Sequence, residues 1–340
     1  SLVVAAGCVS FVRGGGATGT SSPAGTVPAG ARHVTERPAA RQCTLSADLV
    51  PACGAWWGMY LPGDGGGLVS AVKAEESSLG RRLGIIERYH DMSLSGDGVF
   101  PDPAERRLGR HHLLLFSWAP NVWATGARYQ WGKVASGALD RSVIVPQARR
   151  LRAFHHKVFL TFAAEADGVR DQGTPAQFVA AWRHIHGVFA RLGVRNVIWV
   201  WTTEGYVPHA STIAALYPGS AYVDWIGYDP YNFYTCHHSR WLSFSQDVTP
   251  FYRWSAAHGL GGKPLMLAEF GSSADPRDPG REAAWYSSIV PALQQLPRIK
   301  ALVEWNAAVN GCDLRLPVIS EAGRAYRDTG LSAYLSREKP

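Results

Sequence analysis

The feature that most constrains the fold of this chain is a regular alternation of short apolar runs and longer amphipathic segments, which begins near residue 54. Several of the runs are almost continuously apolar, as is typical of parallel strands buried on both faces. Strands that alternate with helices predict a parallel sheet. Eight runs are read as strands, at residues 54–60, 84–90, 112–118, 157–163, 196–202, 222–228, 264–270 and 300–306. Eight units close a barrel, so we predict an α/β fold, a (β/α)8 TIM barrel, as one domain over residues 41–340.

The segments between the strands carry helix signals, of which the clearest follows Thr174. This residue is suited to cap a helix, and Pro175 comes next at the first helical position. Apolar side chains then recur at helical spacing, at Phe178, Trp182, Ile185 and Phe189. An open doubly wound sheet would instead carry a phosphate-binding glycine motif after its first strand. The glycines of residues 63–67 lack that spacing, so we interpret them as a flexible loop.

The first 40 residues differ in composition from the rest of the chain. Residues 2–7 are apolar and end in small side chains directly before Cys8. Residues 1–8 therefore resemble the end of a bacterial lipoprotein signal, with a truncated ordinary signal peptide as the alternative. Residues 9–40 are rich in Gly, Ala, Ser, Thr and Pro and predict a flexible tether. We expect a monomeric bacterial protein that is secreted or held at the cell surface, with a membrane tether if Cys8 is lipidated.

Four cysteines remain when Cys8 is set aside, and an even number in an exported chain indicates disulfides. They allow three pairings, of which we favour Cys43 with Cys53 and Cys236 with Cys312. No two cysteines have the spacing of zinc ligands, so no metal site is expected.

The formal net charge of +7 raises the question of nucleic-acid binding. The basic residues are spread over helix-like segments, such as 104–110 and 141–152, and are not interleaved with aromatic residues in one patch. We interpret them as a solvated outer face and expect no nucleic-acid partner. The 13 Trp residues are the more notable excess, because flat rings serve both as core packing and as platforms for sugar rings.

Two carboxylates follow the apolar runs of predicted strands, Glu165 after the run 158–162 of the fourth strand and Glu269 after the run 265–268 of the seventh. The active site of a (β/α)8 barrel is built at the carboxyl ends of its strands. Two carboxylates that face each other across a cleft can cleave a glycosidic bond, because one protonates the leaving oxygen while the other attacks or activates water. For either glutamate taken alone, the alternative to a catalytic role is an ion pair with an arginine at the barrel rim.

Four groups of residues resemble glycoside hydrolase family 26, and the resemblance spans about residues 43–316. They are 162–168, 181–184 with 196–201, 217–219 with 223–232, and 263–271. The family consists of retaining barrel enzymes with the acid/base after strand four and the nucleophile after strand seven. The resemblance implies that Glu165 is the general acid/base, that Glu269 is the nucleophile and that no cofactor is needed.

Further side chains are expected to assist Glu165 and Glu269. The resemblance implies that Tyr231 hydrogen-bonds the nucleophile and that Trp305 forms the aromatic floor of the sugar subsite beside the cleaved bond, with barrel packing as the alternative for Trp305. Other residues at or near strand ends are expected to contact the substrate, namely His90, Trp118, Asp167, Asn232 and Trp201.

One departure from the family pattern concerns the substrate. The family usually has a histidine that helps to hold the sugar immediately before the acid/base, and this chain has Ala164. The most frequent substrate of the family is β-1,4-mannan, so an endo-acting mannanase is the leading expectation, with β-1,3-xylan and mixed-linkage β-glucan as alternatives. Because of Ala164, the sequence does not determine which sugar the protein acts on.

Two other classes of function are weaker interpretations. A non-catalytic carbohydrate-binding barrel has no need of both Glu165 and Glu269. An aldolase or a metal hydrolase lacks support, because no lysine ends an apolar strand and the paired histidines are adjacent in sequence, which directs them to opposite faces of a strand.

Overall fold

Eight parallel strands form the centre of the computed structural model, which describes residues 43–309 and 311–335. They are β1 Trp56–Tyr60, β2 Ile85–His90, β3 Leu113–Trp118, β4 Val158–Phe162, β5 Val197–Thr203, β6 Trp225–Tyr228, β7 Leu265–Ser272 and β8 Ile299–Trp305. Each strand pairs with the next, and β8 pairs with β1, so the sheet closes on itself. The predicted (β/α)8 barrel is confirmed. The expected signal remnant, tether and lipidated Cys8 lie outside the described residues.

Helices surround the barrel and follow the strands along the chain. They are α1 Gly65–Leu79, α2 Pro103–Leu108, α3 Trp131–Ala135, α4 Val145–Phe154, α5 Pro175–Arg191, α6 Ala210–Leu216, α7 Phe244–Ser255, α8 Pro279–Ser287, α9 Ile289–Gln295 and α10 Glu321–Gly330. The helix predicted after Thr174 is confirmed as α5, where Thr174 and Gln177 form a reciprocal capping box. Among the described residues, no helix has the length and apolar character needed to cross a bilayer.

The glycine run at residues 63–67 is not a loop throughout, because α1 begins at Gly65. Tertiary contacts override the low helix propensity of glycine here. Leu68 and Val72 bury their side chains on the inner side of α1. The guanidinium of Arg88 also donates to the carbonyl of Gly63 and to Asp64 at 2.8 and 2.9 Å, which fixes the start of the helix.

Side chains alternate along each strand between the barrel interior and the layer under the helices. On β5, Ile198 and Val200 belong to the interior cluster, whereas Trp199 and Trp201 pack in the outer layer. The same alternation on β2 starts from Ile85 in the interior. Residues 87 and 89 therefore share the inner face of β2, and residue 90 belongs to its outer face.

The structure contains both of the favoured disulfides. Cys43 is joined to Cys53, with Cα atoms 5.6 Å apart, in the segment that precedes β1. Cys236 is joined to Cys312, with Cα atoms 5.0 Å apart, and links the loop after β6 to the loop after β8. Both of these loops leave the carboxyl ends of the strands, so the second disulfide fastens the same end of the barrel at which Glu269 lies.

Candidate active site

Glu269 lies near the carboxyl end of β7, where the pairing of β7 with β8 shifts register. Its carboxylate accepts two short hydrogen bonds, from the Tyr89 hydroxyl to Oε1 and from the Tyr231 hydroxyl to Oε2, both at 2.6 Å. Its backbone N–H donates to Oδ1 of Asp229 at 2.9 Å. Burial raises the pKa of the Glu269 carboxyl, and the two tyrosine hydroxyls oppose that rise by stabilising the charged form. Because each oxygen has its own donor, the orientation of this carboxylate is fixed.

Glu165 follows β4 in a turn with unusual backbone angles. Ala163 and Glu165 both have positive φ, at 48° and 55°, a region that non-glycine residues rarely adopt. Two backbone hydrogen bonds hold the turn, from the N–H of Ala163 to the Trp118 carbonyl at 3.0 Å and from the N–H of Glu165 to the Thr202 carbonyl at 3.2 Å. Neighbouring strands therefore impose the conformation that positions Glu165, as is common at functional sites.

The electrostatic surroundings of Glu165 favour its protonated form. Burial raises the pKa of the Glu165 carboxyl well above its usual range, and the negative charge of Glu269 raises it further. A hydrogen-bonding interaction with the buried carboxyl of Asp229 acts weakly in the opposite direction. Glu165 thus keeps its proton beside a Glu269 carboxylate that two hydroxyls stabilise in the charged form. A neutral carboxyl beside a charged one is the arrangement required of a general acid and a nucleophile.

An aromatic wall adjoins the two carboxyls. Trp305, at the end of β8, stacks on Tyr60 with ring centroids 5.5 Å apart and an angle of 16° between the planes. Tyr60 in turn meets the edge of Tyr89 at 5.0 Å, and Tyr89 donates to Glu269. Trp305 is partly exposed, and it is linked to Glu269 through the contacts of Tyr60 and Tyr89. This surface is suited to stacking against a sugar ring.

Three of the expected substrate contacts lie in the outer layer instead. The ring nitrogens of His90 are both hydrogen-bonded at 2.8 Å, to the Asp97 carbonyl and to Glu105. Trp118 is fully buried and donates to the Asp91 carbonyl at 2.8 Å. The structure corrects these two expectations, because both side chains point away from the barrel interior.

Trp201 is corrected for the same reason. It is 1% exposed and packs edge-on against Tyr217 in the layer under the helices, with ring centroids 5.1 Å apart. The inward position at this end of β5 belongs to the next residue, Thr202.

Asp167 and Asn232 hold neighbouring segments of the site together. The two oxygens of Asp167 accept hydrogen bonds from the Thr203 hydroxyl at 2.6 Å and from the N–H of Glu204 at 3.0 Å. The Asn232 side chain is 1% exposed and joins the Ser272 hydroxyl to the backbone N–H of Leu242. Burial corrects the expected substrate contact of Asn232, whereas Asp167 is partly exposed and its expected contact stays a prediction. Both residues brace the turns that carry Glu165 and Glu269.

Sequence reasoning missed two side chains of the site, Glu87 and Tyr89. Both lie on the inner face of β2, and Tyr89 makes one of the two bonds to Glu269. The signal that could have found them is the two-residue period of the strand, which places residues 85, 87 and 89 on the same side. Asp229, directly after β6, also belongs to the site, because its Oδ1 accepts the hydrogen bond from the backbone N–H of Glu269.

A closed (β/α)8 barrel with a carboxyl after β4 and a clamped carboxylate on β7 provides the two groups that cleavage of a glycosidic bond requires. The family model of glycosyl hydrolase family 26 matches residues 166–274. Over those residues the chain is similar to that family, in agreement with the resemblance of its motifs. Enzymes of this family are glycoside hydrolases that act by double displacement with two glutamates.

Two curated proteins are similar in sequence. Endoglucanase H of Acetivibrio thermocellus is 27% identical over 271 residues, which cover 76% of this chain and 29% of that protein. Beta-1,3-xylanase TXYA of Vibrio sp is 28% identical over 210 residues, which cover 59% of this chain and 42% of that protein. The matched regions thus make up less than half the length of both relatives.

Solved structures share the fold. The catalytic domain of the family 26 endo-β-1,4-mannanase of Bacillus sp. JAMB-750 has a TM-score of 0.59 and 16% identity, and the match covers 83% of this chain and 87% of that one. The family 26 β-mannanase of Bacteroides ovatus has a TM-score of 0.60 and 15% identity, with 84% and 90% covered. At these identities the likeness establishes the barrel architecture.

Proposed function

We propose that this protein is a retaining glycoside hydrolase of β-linked polysaccharides, with Glu269 as nucleophile and Glu165 as general acid/base. The observation that carries the proposal is the pair of 2.6 Å hydrogen bonds that hold the Glu269 carboxylate beside a Glu165 carboxyl of raised pKa. A carbohydrate-binding barrel would gain nothing from a carboxylate held in one orientation beside a second carboxyl.

The family likeness and the clamped Glu269 carboxylate support a double displacement. Glu269 attacks the anomeric carbon while Glu165 transfers its proton to the glycosidic oxygen, so the leaving sugar departs and an ester forms on Glu269. Formation of the ester removes the negative charge of Glu269, which is the largest charge contribution to the raised pKa of Glu165. The pKa of Glu165 then falls, and its carboxylate takes a proton from the water that hydrolyses the ester. Trp305 stacks under the sugar ring in both steps.

We rank β-glucan and β-1,3-xylan ahead of β-1,4-mannan as the substrate. The two relatives similar in sequence are named for glucan and β-1,3-xylan, whereas the mannanases share the fold at much lower identity. Ala164 also lacks the hydrogen-bonding group of the histidine that the family usually has before its acid/base. The β-1,4-mannanase expected from the sequence remains the second candidate, because the Bacillus and Bacteroides structures of the same fold are β-mannanases.

The disulfides support a proposal about location. Cys43–Cys53 and Cys236–Cys312 would persist in an oxidising compartment and not in a reducing cytosol. We therefore propose that the protein is exported, which agrees with a polymeric substrate that cannot enter the cell.

The test is turnover of purified protein on a panel of mannan, mixed-linkage β-glucan, β-1,3-xylan and cellulose, with product lengths measured. Glu269→Ala and Glu165→Ala should each lose at least about 100-fold in kcat on the natural glycan, because each removes a reacting group. Azide should restore activity to the Glu269→Ala variant by acting as an external nucleophile. Glu321→Gln, an exposed carboxyl at the start of α10, is the control. Binding without turnover by the wild type would refute the hydrolase and indicate a carbohydrate-binding barrel.

A further inference from the structure

The two tyrosines that bond Glu269 are held in different ways. Tyr89 lies on β2, a strand of the barrel that pairs with β1 and β3. Tyr231 lies beyond the end of β6, where the chain pairs with β7 over two residues only. The loop 233–241 follows at once, and its residues 237–240 are exposed. The position of the Tyr231 ring therefore depends on contacts made by this loop.

Phe233 is the residue of this loop that contacts the Tyr231 ring. The two rings are stacked, with centroids 4.7 Å apart and an angle of 18° between their planes. Phe233 also contacts the ring of His237, with centroids 4.3 Å apart, and its carbonyl accepts a hydrogen bond from the His237 N–H at 3.0 Å. Movement of the Tyr231 ring away from Glu269 would therefore break the stacking contact with Phe233.

The Cys236–Cys312 disulfide anchors the part of the loop that Phe233 contacts. His237 follows Cys236 directly, and a ring nitrogen of His237 lies within 4.8 Å of both sulfur atoms. Cys312 is 3% exposed and belongs to the short hairpin after β8, where it pairs with Val309. The disulfide therefore fixes the loop after β6 to the loop after β8, on the two sides of β7.

We propose that Phe233 is a positioning residue, which keeps the Tyr231 hydroxyl on Glu269. The Cys236–Cys312 disulfide holds Phe233 in place through the ring and backbone contacts of His237. Loss of this disulfide therefore lowers kcat and changes the ionisation of Glu269, in addition to lowering the stability of the fold. The role of Phe233 rests on the proposed function of Glu269 as the nucleophile.

The first test compares Phe233→Ala with Phe233→Tyr. Alanine removes the stacked ring, so kcat should fall by about fivefold with little change in KM, within what one aromatic pair can contribute. The acid limb of kcat/KM should also move to higher pH, because a displaced Tyr231 hydroxyl no longer lowers the pKa of Glu269. Tyrosine keeps the ring and should restore most of the loss. A rise in KM alone would indicate that Phe233 contacts the substrate and would overturn the proposal, as would an alanine variant equal to the wild type.

A double-mutant cycle tests whether Phe233 acts through Tyr231. In the Tyr231→Phe background the hydroxyl that Phe233 positions is already absent. Phe233→Ala should therefore lower kcat/KM by less than about twofold in that background, since two residues that act through one interaction are not additive. A fivefold loss in both backgrounds would show that Phe233 acts independently of Tyr231, and would overturn the proposal.

The two disulfides of the structure provide a matched pair of variants. The double variant Cys236→Ala/Cys312→Ala should show the lower kcat and the shifted acid limb of Phe233→Ala. The control is Cys43→Ala/Cys53→Ala, because that disulfide lies in the segment before β1, and its kcat should stay within twofold of the wild type. Both are assayed at a temperature at which circular dichroism shows them folded. An unchanged acid limb in the first variant, or the same shift in the control, would overturn the proposed role of the disulfide.

Hydrogen exchange measured by mass spectrometry applies even if the protein cleaves no glycan. A peptide that covers residues 231–237 should exchange faster in Cys236→Ala/Cys312→Ala than in the wild type, and at the wild-type rate in Cys43→Ala/Cys53→Ala. Equal exchange in all three proteins would contradict the anchoring of this loop by the disulfide. Lack of turnover on every glycan would refute the proposed hydrolase separately, since the exchange rates do not depend on activity.

Discussion

Replacement of Tyr231 by phenylalanine tests the clamp on the nucleophile. The hydroxyl donates to Oε2 of Glu269 at 2.6 Å, the length of a strong bond to a charged acceptor. Bonds to charged groups contribute about 1.5–3 kcal/mol, and about 1.4 kcal/mol corresponds to a factor of ten. We therefore expect kcat/KM of Tyr231→Phe to fall by roughly 10- to 150-fold. The ring remains, so packing against Phe233 should persist.

The same variant has a defined pH signature. The Tyr231 hydroxyl lowers the pKa of Glu269, so its loss raises that pKa. Glu269 must be ionised to attack, and the acid limb of kcat/KM should therefore move to higher pH in Tyr231→Phe.

Hydrolysis of an aryl β-glycoside and of the natural glycan, followed across pH, measures both effects. Tyr89→Phe should behave similarly, because its hydroxyl bonds the other Glu269 oxygen at the same distance. Tyr228→Phe is the control, since that buried hydroxyl bonds the Val248 carbonyl away from the carboxyls. An unchanged kcat/KM in Tyr231→Phe, or an acid limb that moves to lower pH, would refute the reasoning.

Three other outcomes follow from the structure. Trp305→Ala should raise KM by about tenfold or more while thermal stability changes little, because a partly exposed platform for the sugar ring is lost. Titration with oligosaccharides measures the change, and an unchanged KM would indicate that Trp305 only packs in the barrel. Burial raises the pKa of Asp247 to about 7, so its favourable contribution is present below the unfolded value and is lost as pH rises through about 7. The stability of Asp247→Asn relative to the wild type should therefore increase between pH 5 and pH 8, by about 1–3 kcal/mol. Thermal melts that show the same difference between the two proteins at both pH values would contradict this. Removal of the Cys236–Cys312 disulfide, which spans 76 residues, should lower the free energy of unfolding by about 2–4 kcal/mol in denaturant titrations, and an unchanged midpoint would count against it.

The barrel could be predicted because each strand is buried on both faces and therefore appears as a continuous apolar run. The places of Glu165 and Glu269 followed from the same reading, since a carboxyl that ends an apolar run lies at the functional rim. The start of α1 could not be predicted, because the local sequence gives no sign of a helix there. Its glycines have low helix propensity, and the contacts of Arg88 that fix them come from a distant part of the chain.

The wrong predictions of substrate-contacting residues share one cause, because they did not consider which face of its strand each residue occupies. His90, Trp118 and Trp201 were chosen because they end strands, but each lies on the outer face. Alternation from Ile85 would have excluded His90 and included Tyr89. No local pattern, however, shows that the Tyr89 hydroxyl reaches Glu269, because that contact joins residues 180 positions apart.

The most direct test of Glu269 as the nucleophile is to trap the glycosyl-enzyme with a fluorinated mechanism-based β-glycoside and locate the adduct by peptide mass spectrometry. A double displacement at Glu269 requires a single sugar adduct, carried by Glu269 and absent from Glu269→Ala. An adduct on another carboxylate would contradict it, as would an active enzyme that inverts the anomeric centre and is never labelled.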